Sequence, residues 1–121
     1  MSDSKELGQQ GEDIASSFLI KKDYKILARN WRMGANEIDI IAENENFIVF
    51  IEVKTRSENY LEHPRTAVAA SKQKAIIKAA DQYICRYNID KENRFDIITI
   101  IKSQDKFEIV HIENAFYPTL R

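Results

Sequence analysis

The sequence predicts an α/β domain, a central mixed five-stranded sheet flanked by helices in the order α-β-β-β-α-β-β. Three observations carry this. Apolar residues recur at helical spacing near the N-terminus and again between Thr66 and Tyr87. Between those regions lie "YKILARNW", "NEIDIIAE" and "FIVFIEVKTR", rich in β-branched and aromatic residues. After the second helix, "RFDIITII" and "KFEIVHI" form a further strand pair across a "KSQD" turn.

In chain order, the first helix is expected from about Ser4 to Lys21, with Leu7, Ile14, Phe18 and Leu19 at helical spacing and Ser2 or Ser4 as cap. Gly8 and Gly11 lie in its first half, where each costs about 1 kcal/mol relative to alanine. That cost points to close approach by another element or by a ligand. Glu12 lies one turn from Gly8 and from Ala15 and Ser16, so small side chains surround it. In "NEIDIIAE", Ile38, Ile40 and Ala42 are expected on one face and Glu37, Asp39 and Ile41 on the other. "ENEN" makes a turn into "FIVFIEVKTR", a strand buried on both faces that places Glu52 and Lys54 near its far end. Val68, Ala75, Ile76, Ala79, Ala80, Tyr83 and Ile84 then mark an amphipathic helix.

A chain of 121 residues fits one domain with a real core, and 44% hydrophobic with 31% charged residues is ordinary for a globular protein. The polar start "MSDSKELGQQGED" does not read as a signal peptide, and no apolar run is long enough to span a membrane. One cysteine, Cys85, rules out an internal disulfide and fits a reducing compartment, so a cytoplasmic protein is expected. The formal net charge of −1 lends no support to non-specific grip on nucleic acid. Bases do gather locally, at Arg29, Arg32, Lys54, Arg56, Arg65, Lys72, Lys74 and Lys78.

Residues two apart on a strand share a face, so Glu37 goes with Asp39 and Glu52 with Lys54. An even-length turn pairs Ala42 with Phe47, sets Glu37 opposite Glu52, and leaves Asp39 diagonal to Glu52. Like charges across a strand pair are destabilising unless something positive compensates. Lys54 supplies one charge, and a divalent cation, which takes oxygen ligands, would supply the rest. The bland reading is a solvated sheet edge with scattered ion pairs; the spacing of Asp39, Glu52 and Lys54 favours a site.

Asp39 followed by Glu52-Val53-Lys54 resembles the PD-(D/E)xK signature of restriction-endonuclease-like nucleases. More specifically, "GQQGEDIA" (8–15), "ARNWR" (28–32), "EIDII" (37–41), "FIEVKTR" (50–56), "RFDI" (94–97) and "NAF" (114–116) resemble the bacterial YraN-like family. That is a family of predicted nucleases related to archaeal Holliday-junction resolvases, and the likeness runs over nearly the whole chain in the same order. It implies a single restriction-endonuclease-like domain over residues 1–121. The sequence departs from the family at Asn36, where glycine is common, and in "LEHPRTAV", which lacks the family's glycine. The proline of the signature is also absent, as is usual in that family.

By this resemblance Asp39 and Glu52 bind the metal, Mg²⁺ or Mn²⁺, and the Val53 carbonyl completes the protein ligands. Lys54 would orient the attacking water or stabilise charge on the phosphorane, and Glu12 matches a helix glutamate beside the cluster. Substrate contacts are expected from Arg32, Arg56, Arg65, Lys72 and Gln73, through the phosphate backbone and without sequence readout. Trp31, Asp96, His111 and Cys85 read as structural, Cys85 in the core; His63 is the histidine placed to approach the site.

The expected activity is metal-dependent hydrolysis of DNA, selective for branched or junction structures, with a homodimer favoured by symmetric cutting of two strands. Two other classes stay open. One is a non-catalytic nucleic-acid-binding or recombination-accessory module that keeps the fold. The other is an interaction protein whose acidic patch binds a basic partner.

Overall fold

In the computed structural model of the chain the described residues are 2–57 and 68–118, with side chains from Glu6 onward. The elements are α1 (Ser2–Lys21), β1 (Lys25–Met33), β2 (Asn36–Glu43), β3 (Phe47–Ser57), α2 (Ala70–Arg86), β4 (Glu92–Ser103) and β5 (Lys106–Phe116). They form one mixed sheet in the order β1-β2-β3-β4-β5, antiparallel throughout except that β3 and β4 run parallel. The expected order of elements is the observed one. The second helix was expected from Thr66; that residue lies outside the described ones, and α2 is seen from Ala70.

Helices cover both faces, which is why the central strands read as apolar runs instead of strict alternation. On one face Ala15 and Leu19 of α1 pack against Ile40, Ile51, Ile98 and Ile100. On the other, Ile76, Ala79, Ala80 and Tyr83 of α2 pack against Ile41, Phe50, Phe95 and Ile97. Trp31 packs edge-on against Tyr83 at 5.3 Å between ring centroids, as a residue lying on the sheet. Cys85 is exposed, not in the core. It lies two positions past the buried Tyr83, about 200° around the helix, and so points away from the sheet.

Two turns set the strand register. β1 and β2 meet through Gly34-Ala35, with Gly34 at φ 61°, so the positive φ falls there and Asn36 begins the strand. Between β2 and β3, Asn44 Oδ1 accepts from the N–H groups of Asn46 (3.0 Å) and Phe47 (2.8 Å), and the Asn44 N–H donates to Phe47 O. This side-chain-closed turn pairs Glu43 with Ile48. The register is therefore two residues away from the expected Ala42–Phe47 pairing. A slip of two preserves faces, but Glu37 is no longer opposite Glu52.

The expected alternation in β2 also breaks. Ile40 and Ala42 face α1 as expected, but Ile38 joins the α2-side cluster with Ile41. The β2–β3 ladder ends at Ile40–Ile51, whereas β2 stays paired with β1 through Trp31–Ile38. Ile38 follows Trp31 toward Tyr83, and the strands part at Asp39.

The two helix glycines differ. A Cβ on Gly11 would lie 2.1 Å from Thr55 Oγ1, so α1 reaches the end of β3 only because that methyl is missing. A Cβ on Gly8 would meet nothing within 4 Å.

At the other end of the sheet, "RFDI" and "NAF" meet in one buried network. Asp96 accepts from Arg94 Nε (3.0 Å) and NH2 (2.9 Å) and from the Asn114 N–H (2.9 Å), and pairs with His111 Nε2 (2.8 Å). Lys22 Nζ lies 3.2 Å from His111 Nδ1; an ammonium only donates, so Nδ1 accepts and Nε2–H donates to Asp96. The Tyr24 hydroxyl accepts from Arg94. Asn114, at φ 54°, lies where β5 spends extra residues against β4 between Phe95 and Ile97, and Asp96 satisfies the amide which that irregularity frees. His111 is thus a buried partner of Asp96, more than an ordinary strand residue. No helix among the described residues is long and apolar enough to cross a membrane.

Gly11→Ala gains helix propensity yet should destabilise the fold by about 1–3 kcal/mol through overpacking on the stiff Thr55 side chain. Adding Thr55→Ala should recover much of that loss in urea unfolding. Asp96→Ala strands the buried Arg94 charge and should cost about 3–5 kcal/mol by the same measurement; a loss under 1 kcal/mol would show the network to be incidental.

Candidate active site

Where β2 leaves β3, the Val53 N–H that would continue the ladder donates instead to Asp39 Oδ2 at 2.9 Å. A strand residue's N–H and C=O point to the same side, so the Val53 carbonyl also faces the parting strands. The gap opens into a cleft of about 410 Å³ lined by Leu7 and Gly8 of α1, by Glu12, by Asp39, and by β3 from Glu52 to Arg56. A rigid strand thus sets Glu52, Val53 and Lys54 along one edge, and the Gly11–Thr55 contact brings Glu12 to the other.

Glu52 is buried, with only 5% of its side chain exposed, and its two oxygens differ. Oε2 lies 3.4 Å from Lys54 Nζ and 3.7 Å from Lys72 Nζ, which reaches in from the first turn of α2. Oε1 is shut off from solvent and meets no donor among the described residues. Burial, then repulsion from Asp39, push the Glu52 pKa up to about 7, against the pull of Lys72 and Lys54. Burial also raises Asp39, opposed chiefly by the hydrogen bond from Val53. Glu52 and Asp39 are thus neighbouring carboxyls that disfavour each other's ionisation, and Oε1 is left without a donor among the described residues.

Glu12 is half-buried, and burial followed by the Asp39 charge raises its pKa. Asn30 hydrogen-bonds it, and Arg29 NH2 lies 3.7 Å away while bonding more closely to Asp13 (2.8 Å). Asn30 was not among the expected site residues. It falls between the paired positions Arg29–Ile40 and Trp31–Ile38, level with Asp39, and adopts φ 53° inside a strand. Asparagine tolerates that conformation better than most residues; the signal was its place within "ARNWR".

Sequence comparison supplies the family. Residues 11–100 match the model of "Uncharacterised protein family UPF0102". The chain belongs to the UPF0102 family. A UPF0102 protein of Parabacteroides distasonis is 44% identical over 121 residues, 100% of both chains. One from Phocaeicola vulgatus is 42% identical over 120 residues, 99% of each. A third, from Chlorobium phaeobacteroides, is 48% identical over 118 residues, covering 92% of this chain and 94% of its own.

In this UPF0102 chain the cleft gathers Glu12, Asp39, Glu52, Val53, Lys54 and Arg56, with Lys72 at its rim. Arg56 donates to the Thr55 carbonyl at 3.2 Å. Gln73 is turned to its own helix, with Nε2 donating to Val68 O at 3.0 Å. Arg32 lies outside the cleft lining, exposed and paired with Glu37 at 3.5 Å. Glu37 lies directly across from Arg32 in the β1–β2 pairing. Arg65 and His63 lie outside the described residues. No group of three or more His, Cys, Asp or Glu side chains among the described residues is set to hold a metal as it stands. Two carboxylates, Asp39 and Glu52, with the Val53 carbonyl and water, are the donors that could hold a hard cation there.

Three raised carboxyl pKa values give stability a definite pH dependence. Glu52 is protonated in the folded chain up to about pH 7 but only to about 4.5 when unfolded, so across that window the folded state binds more protons and stability falls as pH rises. The Glu52 contribution is on the order of 3 kcal/mol. Urea unfolding in chelator from pH 4.5 to 8 should show this decline, and Glu52→Gln should flatten it. Asp96 does not mask it. Burial raises its pKa, but hydrogen bonds from His111, Arg94 and Asn114 bring it below 3.8, so its stabilisation is lost only in acid below that window.

Proposed function

We propose that this chain is a metal-dependent nuclease of the PD-(D/E)xK type that hydrolyses phosphodiester bonds in DNA, with preference for branched structures. The observation that carries the reading is the buried Glu52 beside the half-buried Asp39, with a Glu52 oxygen that meets no donor among the described residues, next to Lys54 in an open cleft. A fold has no evident use for two repelling carboxyls at that depth, whereas a cation and a phosphate neutralise each other's surroundings there. The donor set fits Mg²⁺ or Mn²⁺: carboxylate and carbonyl oxygens, and an acceptor that no donor among the described residues satisfies.

A divalent cation held by Asp39, Glu52 and the Val53 carbonyl would polarise a phosphoryl oxygen and lower the pKa of a bound water. The chain's own groups supply the remainder. Asp39 lines the cleft and is held there by the Val53 N–H, which donates to its Oδ2. Lys54, fixed on β3, offers its ammonium to the negative charge that grows on the phosphoryl and leaving oxygens as the water oxygen bonds to phosphorus and the bridging P–O bond breaks. Glu12, with its raised pKa, is suited to hold or pass a proton at the α1 side of the cleft.

Labelled duplex, flap and four-way-junction DNA should be cut in Mg²⁺ or Mn²⁺, and Asp39→Asn or Lys54→Ala should lower the rate by about 10²–10³ while remaining folded. Equal cutting by wild type and Asp39→Asn, purified alike, would show a contaminant and remove the catalytic reading. Binding without cutting would favour the non-catalytic nucleic-acid-binding module. Independently of turnover, Mn²⁺ should raise Tm at pH 8, and Glu52→Gln should abolish that shift.

A further inference from the structure

Gly8 is exposed in the interior of α1, with no positive φ and room for a Cβ on every side. Glycine weakens a helix, and the fold offers no reason for it here. Gly11, one turn on, is explained by Thr55, but a Cβ on Gly8 would meet no atom of the described residues within 4 Å. What Gly8 does is line the cleft, between Leu7 and Glu12 and across from the end of β3. The same cleft is lined by Glu52, whose buried Oε1 meets no donor among the described residues, which leaves an acceptor there for a group from outside.

We propose that Gly8 is a substrate-contact position: the sugar-phosphate backbone of the nucleic acid lies against the main chain of α1 there, in space that any side chain would fill. This rests on the nuclease reading above. The cations lie across the cleft, Lys54 on β3 and Lys72 on α2, so a phosphate drawn to them leaves its sugar facing the bare helix turn. The Gly8 N–H is committed to the helical ladder, so the contact is close packing and not amide donation. A methyl group there would push the strand outward, and misplacement by about 1 Å can cost on the order of 10²-fold in a positioned reaction. Gly8 thus sets how deeply the strand enters, while the acids remain free to bind metal.

The test compares wild type, Gly8→Ala and Gly8→Gln for binding of labelled duplex and four-way-junction DNA, read by anisotropy in Ca²⁺. Thermal unfolding and Mn²⁺ affinity are measured on the same preparations. Gly8→Ala should match or exceed the wild-type Tm, keep Mn²⁺ affinity within about twofold, and weaken DNA binding about tenfold, with Gly8→Gln weaker still. DNA affinities within about twofold of wild type in both variants would overturn the Gly8 assignment and leave the nuclease reading standing. Loss of Tm or Mn²⁺ affinity in Gly8→Ala equal to the loss of DNA binding would make Gly8 structural and also overturn it. Failure of the wild type to bind any of these DNAs would remove both.

Discussion

The hydrogen bond from the Val53 N–H to the Asp39 carboxylate is the constraint on which the rest of the molecule turns. Two antiparallel strands that part must leave backbone donors without partners, and a buried one costs about 1–3 kcal/mol. Asp39 removes that cost by standing in for the missing strand. In doing so it fixes a carboxylate beside Glu52, and the carboxylate is held by the main chain instead of a mobile side chain. The opening in the sheet and the acid that lines it are therefore one structural event. A different residue at position 39 would have to solve the backbone problem before it could serve any chemistry.

The sheet contains a second deeply buried acid, and the contrast between the two is informative. Asp96 is as enclosed as Glu52, yet it takes hydrogen bonds from Arg94, Asn114 and His111, and its pKa falls. Burial disfavours the Arg94 charge, but hydrogen bonds to Asp96 and Tyr24 outweigh it and raise the Arg94 pKa. That network is closed, with every strong group answered, as a structural element should be. At Glu52 one oxygen faces two lysines at 3.4 and 3.7 Å and the other meets no donor among the described residues, and the pKa rises to about 7. Equal burial with opposite shifts distinguishes an anchor from an incomplete site. Both acids were visible in the sequence; only their donors told them apart.

That difference marks how far the sequence could be read. Element order, the two-sided burial of β3 and the convergence of Asp39, Glu52 and Lys54 follow from periodicity of 2 and 3.6, which the chain states plainly. The strand register did not, because it hangs on one side chain. Asn44 closes the turn on Phe47, and nothing in "ENEN" says which asparagine will do so. The break at Ile38 was hidden for a related reason, since alternation assumes a strand keeps both neighbours, and β2 loses one at Asp39. Asn30, Lys72 against Glu52, and His111 against Asp96 are long-range pairings that no local pattern encodes. Cys85 reads as core by its apolar character, but its angle on α2, about 200° from Tyr83, turns it to solvent.

The two glycines of α1 show how a single helix serves both fold and cleft. Gly8 and Gly11 are three residues apart, on one face and about 4.5 Å apart along the axis. At Gly11 the helix backbone presses on Thr55, which locks α1 to the end of β3 and fixes the height of Glu12. One turn earlier a Cβ on the same face would meet none of the described residues within 4 Å, and Gly8 borders the cleft. A helix docked only by large side chains would stand off from the sheet and carry Glu12 away from Asp39. A helix in contact along its whole length would close the cleft. The short contact at Gly11, followed by open space at Gly8, is the arrangement that brings a third acid to the site while leaving a way in.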